Sequence, residues 1–199
     1  MLALSALSSL LLASSTIALT TPHRRTSSGC SAFPVNGVPD VPNFTLLAQS
    51  TADASVQEPL VLVAHTPSLT LSYLATADSI STASPLGSTF SMASSGITAH
   101  TANNGSAVSV DVGSSNAFLQ FVSLTSAPPA EDYCELVNTD PNGSPYAYPV
   151  LAVNGDSGSF FLCDSGSNSE RLVVFNPEQA SATTFVFDTC DKVDILIVQ

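Results

Sequence analysis

An all-β fold, a single antiparallel sandwich of the jelly-roll kind, is what this sequence predicts. Short apolar runs recur about every ten residues from Phe44 onward, punctuated by Gly, Pro, Asn and Asp, which is the rhythm of paired strands and turns. Val108-Ser109-Val110-Asp111-Val112 alternates apolar with polar, so its valines are expected on a buried face and Ser109 and Asp111 on a wet one. Nowhere does a capped stretch of about ten residues carry apolar side chains at helical spacing. A β-trefoil is the alternative, because roughly twelve strands suit three hairpin repeats of about 50 residues equally well. Comparing Phe44 to Ala93, Phe90 to Ala130 and Tyr148 to Phe187 shows only faint internal similarity, which favours the sandwich.

Taken in order, Met1 to Thr20 is an apolar run without a charged side chain. It reads as a signal peptide over residues 1–18, with Thr16-Ile17-Ala18 supplying the small residues that signal peptidase requires before its cut. A retained anchor would need about 20 apolar residues, and the serines and threonines here count against it. Residues 19–42 are expected to be a flexible lead. Within it, Arg24-Arg25 is either a dibasic processing site or a pair of solvated charges.

Residues 43–199 are expected to form the β domain. Its strands are anticipated at Phe44 to Gln49, Leu60 to Thr66, Leu69 to Leu74, Thr89 to Met92, Ile97 to His100, Val108 to Val112, Phe118 to Leu124, Val150 to Asn154, Ser159 to Cys163, Arg171 to Phe175, Thr184 to Phe187 and Val193 to Val198. The unbroken apolar runs Leu60 to Val63 and Ile195 to Val198 belong to strands covered on both faces.

Only four Lys or Arg residues stand against sixteen acids, and two of the four lie in the lead. Such a surface repels phosphate backbones and anionic lipid, so neither nucleic acid nor membrane is an expected partner. Charged residues make up 10% of the chain, where about 25% is usual. Polarity comes instead from neutral Ser, Thr, Asn and Gln. Cys30, Cys134, Cys163 and Cys190 are an even set behind a signal peptide, which implies two disulfides. Of three pairings, Cys134 with Cys163 and Cys30 with Cys190 is favoured, because nested pairs staple both ends to the core. Zinc-type spacing is missing, and no metal or cofactor is expected. Asn43, Asn104 and Asn142 each begin an Asn-x-Ser/Thr sequon open to N-glycosylation.

Chemistry-bearing patterns are few. Gly155-Asp156-Ser157-Gly158 resembles the nucleophile segment of trypsin-like serine proteases, and His100 and Asp111 precede it in the matching order. Only 57 positions separate His100 from Ser157, and Ser159 stands where that family has a second glycine, so a turn is the expected reading. Glu58, Glu131, Asp132, Glu135 and Asp156 are acids that could be paired for glycoside chemistry, and Asp188, Asp191 and Asp194 could hold calcium; solvation is expected for both groups. Tyr133, Tyr146 and Tyr148 flank a proline-stiffened loop and could stack a sugar ring, or could equally pack the core.

The order of features, with a Phe44-to-Ala48 opening, a Thr89-to-Gly96 hairpin and Leu151-Ala152-Val153-Asn154-Gly155 leading to Phe160-Phe161-Leu162-Cys163, resembles small secreted, cell-wall-associated proteins of filamentous fungi. The chain departs from them in lacking Trp. The resemblance implies an extracellular or wall-associated β protein of unknown biochemical activity and carries no catalytic residues onto this chain. With secretion, a neutral-polar surface and sequons, the expectation is a noncatalytic structural or interaction protein, with wall polysaccharide or extracellular proteins as partners. A lectin-like module is the alternative expectation, and a secreted hydrolase comes after it.

Overall fold

Continuous main-chain pairing turns the expected two layers into one closed sheet. The computed structural model describes residues 30–31, 37–64, 70–80, 85–102, 105–113, 115–123, 127–137, 148–166, 170–179 and 184–199. The expected signal peptide, Arg24-Arg25, Asn104, Asn142 and Tyr146 lie outside them.

After a two-residue strand β1 (Gly37–Val38), three units follow one another. The first contains β2 (Val41–Ser50), β3 (Gln57–Ala64), β4 (Leu71–Thr76) and β5 (Thr89–Ala93). The second contains β6 (Gly96–Thr101), β7 (Gly105–Ser109), β8 (Ala117–Phe118), β9 (Gln120–Ser123) and β10 (Tyr133–Leu136). The third contains β11 (Val150–Val153), β12 (Phe160–Asp164), β13 (Arg171–Phe175) and β14 (Asp191–Val198). Every pairing is antiparallel. The path β2-β5-β6-β7-β9-β4-β13-β12-β14 returns to β2, a nine-strand closure that leaves no two separate sheets to stack.

The pairing pattern repeats three times. Strand β2 pairs with β5 of its own unit and with β14 of the last, and β11 pairs in the same way with β14 and β10. Between them, β6 pairs with β5, and the turn residue just before it, Ser95, accepts the Tyr133 N–H of β10 at 2.9 Å. The inner strands of the three units also converge, β4 on β9, β4 on β13 and β8 on β13. The unit starts Val41, Gly96 and Val150 fall 55 and then 54 residues apart. The period is therefore present, carried by backbone pairing and not by repeated side chains.

All three units supply the core. Phe44, Phe90 and Phe121 stand 6.0 Å apart ring to ring in succession, while Phe160 meets Phe175 edge-on at 5.5 Å. Aromatic pairs of this geometry contribute about 0.5–1.5 kcal/mol beyond their buried area. Leu60 and Leu62 enter this core while Val61 and Val63 enter a second cluster with Tyr73, Ala75 and Leu172, so β3 is covered on both faces as its unbroken apolar run implies. Ile195, Leu196 and Ile197 are buried likewise.

Four local readings are corrected. The Val108-to-Val112 alternation runs the other way within β7: Ala107 and Ser109 are buried and Val108 is half-exposed. Ser109 can face inward because its hydroxyl accepts the Ile97 N–H at 3.2 Å and reaches the Ala130 carbonyl at 3.4 Å. Thr184 to Phe187 is no strand; only Phe185 bridges, to Ser165, and Phe187–Thr189 forms a 3-10 turn. Strand β10 escaped the reading because Glu135 interrupts its apolar run.

Residues 37–42, assigned to a flexible lead, are paired, and they support a strained turn. Ser94 and Ser95 join β5 to β6 with φ of 49° and 67°, a left-handed pair that Gly or Asn would adopt more cheaply. The Ser94 N–H donates to the Asp40 carboxylate at 2.7 Å and the Ser95 N–H to the Pro39 carbonyl at 3.0 Å.

Candidate functional site

Of the three tyrosines considered for sugar stacking, Tyr133 is taken up by the core. Tyr133 faces into the barrel with no exposed surface, and its hydroxyl is buried without a hydrogen-bond partner. Burial first, then the negative charges of Asp132 and Asp111, push that hydroxyl far above the ordinary tyrosine range, so it stays neutral. Strand alternation decides the outcome, since β10 sends Tyr133 inward to the core. Tyr148 is half-buried just before β11.

The Gly155-Asp156-Ser157-Gly158 segment is a turn between β11 and β12. Asn154 and Gly155 take φ of 51° and 83°, and Val153 and Asp156 exchange main-chain bonds of 2.8 and 2.9 Å across them. This is the Asn-Gly hairpin geometry. The Asp156 carboxylate is occupied with the turn itself, accepting the Gly158 N–H at 2.7 Å and the Ser159 hydroxyl at 2.5 Å. His100 does not pair with Ser157; its Nε2 lies 3.0 Å from the Ser91 hydroxyl. Asp111 sits exposed in the loop after β7. The three residues matched to a protease order therefore belong to three separate local arrangements.

The Ser91–His100 pair lies diagonally across β5 and β6, on an outer face that also carries Thr89 and Thr98. A strand face offers side chains only, because its N–H groups lie in the sheet plane and are spent on pairing. Acyl transfer at Ser91 would lack main-chain donors for the oxyanion.

The acids are divided among structural duties. Arg171 donates to Glu58 and Asp191 at 2.7 Å each and lies 3.6 Å from Asp164, tying β3, β12, β13 and β14 together. Asp132 accepts the Val112 N–H at 3.1 Å. Glu135 is buried in β10, where Gln199 Nε2 reaches it at 3.3 Å; desolvation raises its pKa and the Gln199 bond partly opposes that. Asp194 is raised by desolvation, with Lys192 opposing. Among the described residues no group of three or more His, Cys, Asp or Glu is placed to hold a metal ion. Nor, among them, is any helix long and apolar enough to cross a membrane.

The disulfides are Cys30–Cys134 and Cys163–Cys190, not the nested arrangement expected. Register explains the second. Phe160 pairs with Val193 and Leu162 with Asp191, so the next position sets Cys163 opposite Cys190, with Cα atoms 4.1 Å apart. The first follows from β1 lying against β10, Gly37 opposite Leu136 and Val38 opposite Glu135, which brings the lead beside Cys134. Neither neighbourhood is visible from cysteine spacing.

Compared with known proteins, the chain has no significant match to any family model, curated protein or solved structure.

Proposed function

We propose that the chain is a secreted, noncatalytic structural or interaction protein of the extracellular space or cell wall. The observation that carries the reading is the pairing of all four cysteines into two bridges, one joining the lead to β10 and one joining β12 to the start of β14. Disulfides of this kind persist in oxidising compartments and are rare where thiols are kept reduced. An apolar leader at Met1–Ala18 fits the same route. So does a surface whose polarity rests on neutral side chains, because it changes little as external pH changes. The likeness to wall-associated proteins of filamentous fungi extends the reading to the wall, with polysaccharide or extracellular protein as partner.

The threefold pairing fits a β-trefoil, the alternative architecture, better than a jelly roll: strands of all three units close one barrel and their inner strands pair with one another. Such a body offers a disulfide-clipped scaffold suited to binding through its surface. A lectin-like role would have to use residues other than Tyr133, which is in the core.

Intact mass and a non-reducing peptide map of the secreted protein test this directly. A mature start after Ala18 or Arg25 and both disulfides are expected. An uncleaved leader with four free thiols would sink the extracellular reading. Fractionation of the producing culture then decides wall association, since recovery solely as free soluble protein rules it out.

A further inference from the structure

We infer that Asn43 carries an N-linked oligosaccharide, on a bulge that the fold holds open for it. The inference rests on passage through the secretory route proposed above. In the Asn43-Phe44-Thr45 sequon, Phe44 is 1% exposed and stacks on Phe90, while Asn43 and Thr45 on either side of it are exposed. The acceptor amide and the hydroxyl that the transferase reads therefore share the outer face, and the intervening aromatic ring anchors the strand.

A regular strand would still press the first sugar against its neighbour, and here the strand is not regular. Val41 pairs with Met92 and Phe44 with Phe90, so Pro42 and Asn43 together oppose Ser91 alone. Two residues against one is a β-bulge, which bends the strand and re-aims the extra side chain. Asn43 has φ of 36°, in the left-handed region that Asn tolerates better than most residues, and Pro42 before it has no N–H to give the ladder. The face beside the bulge carries Ser91, Thr89, Thr98 and His100. Those hydroxyls and the imidazole can hydrogen-bond sugar hydroxyls without stripping water from a fixed carboxylate or ammonium.

The modification is a group transfer from a polyprenyl-diphosphate-linked oligosaccharide. Asn43 Nδ2 forms a bond to the anomeric carbon of the donor. The bond from that carbon to the diphosphate oxygen breaks, the electron pair leaves with the polyprenyl diphosphate, and an Nδ2 proton passes to a base of the transferase.

The test uses the full chain secreted from a eukaryotic host, treated with peptide-N-glycosidase in heavy-oxygen water. No Lys or Arg lies between Arg25 and Arg171, so the chain is digested at acidic residues before the glycosidase step, releasing Val41–Asp53 while position 43 is still uncut. Heavy-oxygen Asp at position 43 is expected in the native sequence and in Thr45→Ser, and none in Thr45→Ala, whose exposed position spares the fold. Unlabelled Asn43 in a protein that has lost its leader and formed both disulfides would overturn the glycan while leaving secretion intact. Label persisting in Thr45→Ala would mark spontaneous deamidation and overturn it as well. A leader-bearing chain with free thiols would overturn both inferences together.

Discussion

Carboxylates are treated in opposite ways at two places in this molecule. Beside Arg171, three acids from β3, β12 and β14 surround one guanidinium in a partly exposed setting, with Glu58 and Asp191 at 2.7 Å. In β10, Glu135 is buried between β1 and β11 with the Gln199 amide as its hydrogen-bond partner. The first arrangement stabilises through charge and needs the acids ionised. The second tolerates an acid best when it is neutral. Arg171 sits where strands of different units meet, whereas the Glu135 carboxyl has its pKa raised by burial with only an amide bond opposing.

Each region also carries a disulfide, and removing them gives the largest effects. Cys30→Ser with Cys134→Ser opens a loop of 104 residues, and Cys163→Ser with Cys190→Ser one of 27. By loop entropy both losses cost about 3–5 kcal/mol, the longer loop more. Denaturant unfolding of the two double variants should rank them in that order. The reverse order would mean that the register pairing of β12 with β14, and not chain entropy, governs the short bridge.

Next in size is Arg171→Ala, which leaves half-buried Glu58 without its cation and should cost about 1–3 kcal/mol. The loss should shrink in high salt, because exposed charges are screened. A salt-independent loss would show that the aliphatic stem of Arg171, packed along the strands, matters more than its charge.

Glu135→Gln sharpens the contrast through pH. Its folded pKa is raised, so the stability it contributes is fully present below the ordinary carboxylate range and is lost as pH rises through the folded value. Asp194 acts with the same sign. Thermal midpoints of the native protein should therefore rise on acidification through that window, and Glu135→Gln should flatten the rise while raising stability at neutral pH. A variant whose profile overlays the native one would show that Glu135 is hydrated in the fold.

The smallest effect expected is for Tyr133→Phe. Deleting a buried hydroxyl that has no partner should change stability by less than about 1 kcal/mol, or raise it. A loss above about 2 kcal/mol would reveal a bound water satisfying that hydroxyl.

These regions also show what was legible in the residues. Leu60 to Val63 and Ile195 to Val198 announced buried strands because apolar runs of that length leave no wet face. The Asn154-Gly155 turn was readable because few dipeptides accept two successive positive φ angles. By contrast, β10 was hidden by Glu135, and β7 was read with its faces exchanged because Ser109 satisfies its hydroxyl inside the protein. Ser94-Ser95 gave no turn signal, since its left-handed geometry is supported by Asp40 and Pro39 from far along the chain. Tyr133 was open to either reading because spacing does not encode which face of β10 is buried.

The sequence by itself determined an all-β chain, the positions of most strands, the two faces of β3 and an even set of cysteines, because alternation, turn propensity and composition are local. Tertiary structure alone decided that the sheet closes, that its pairing repeats in three units, and that Cys163 faces Cys190. Alternation says only which side of a strand is buried. Which strands meet, and in what register, depends on backbone pairing between residues as distant as Thr45 and Val198.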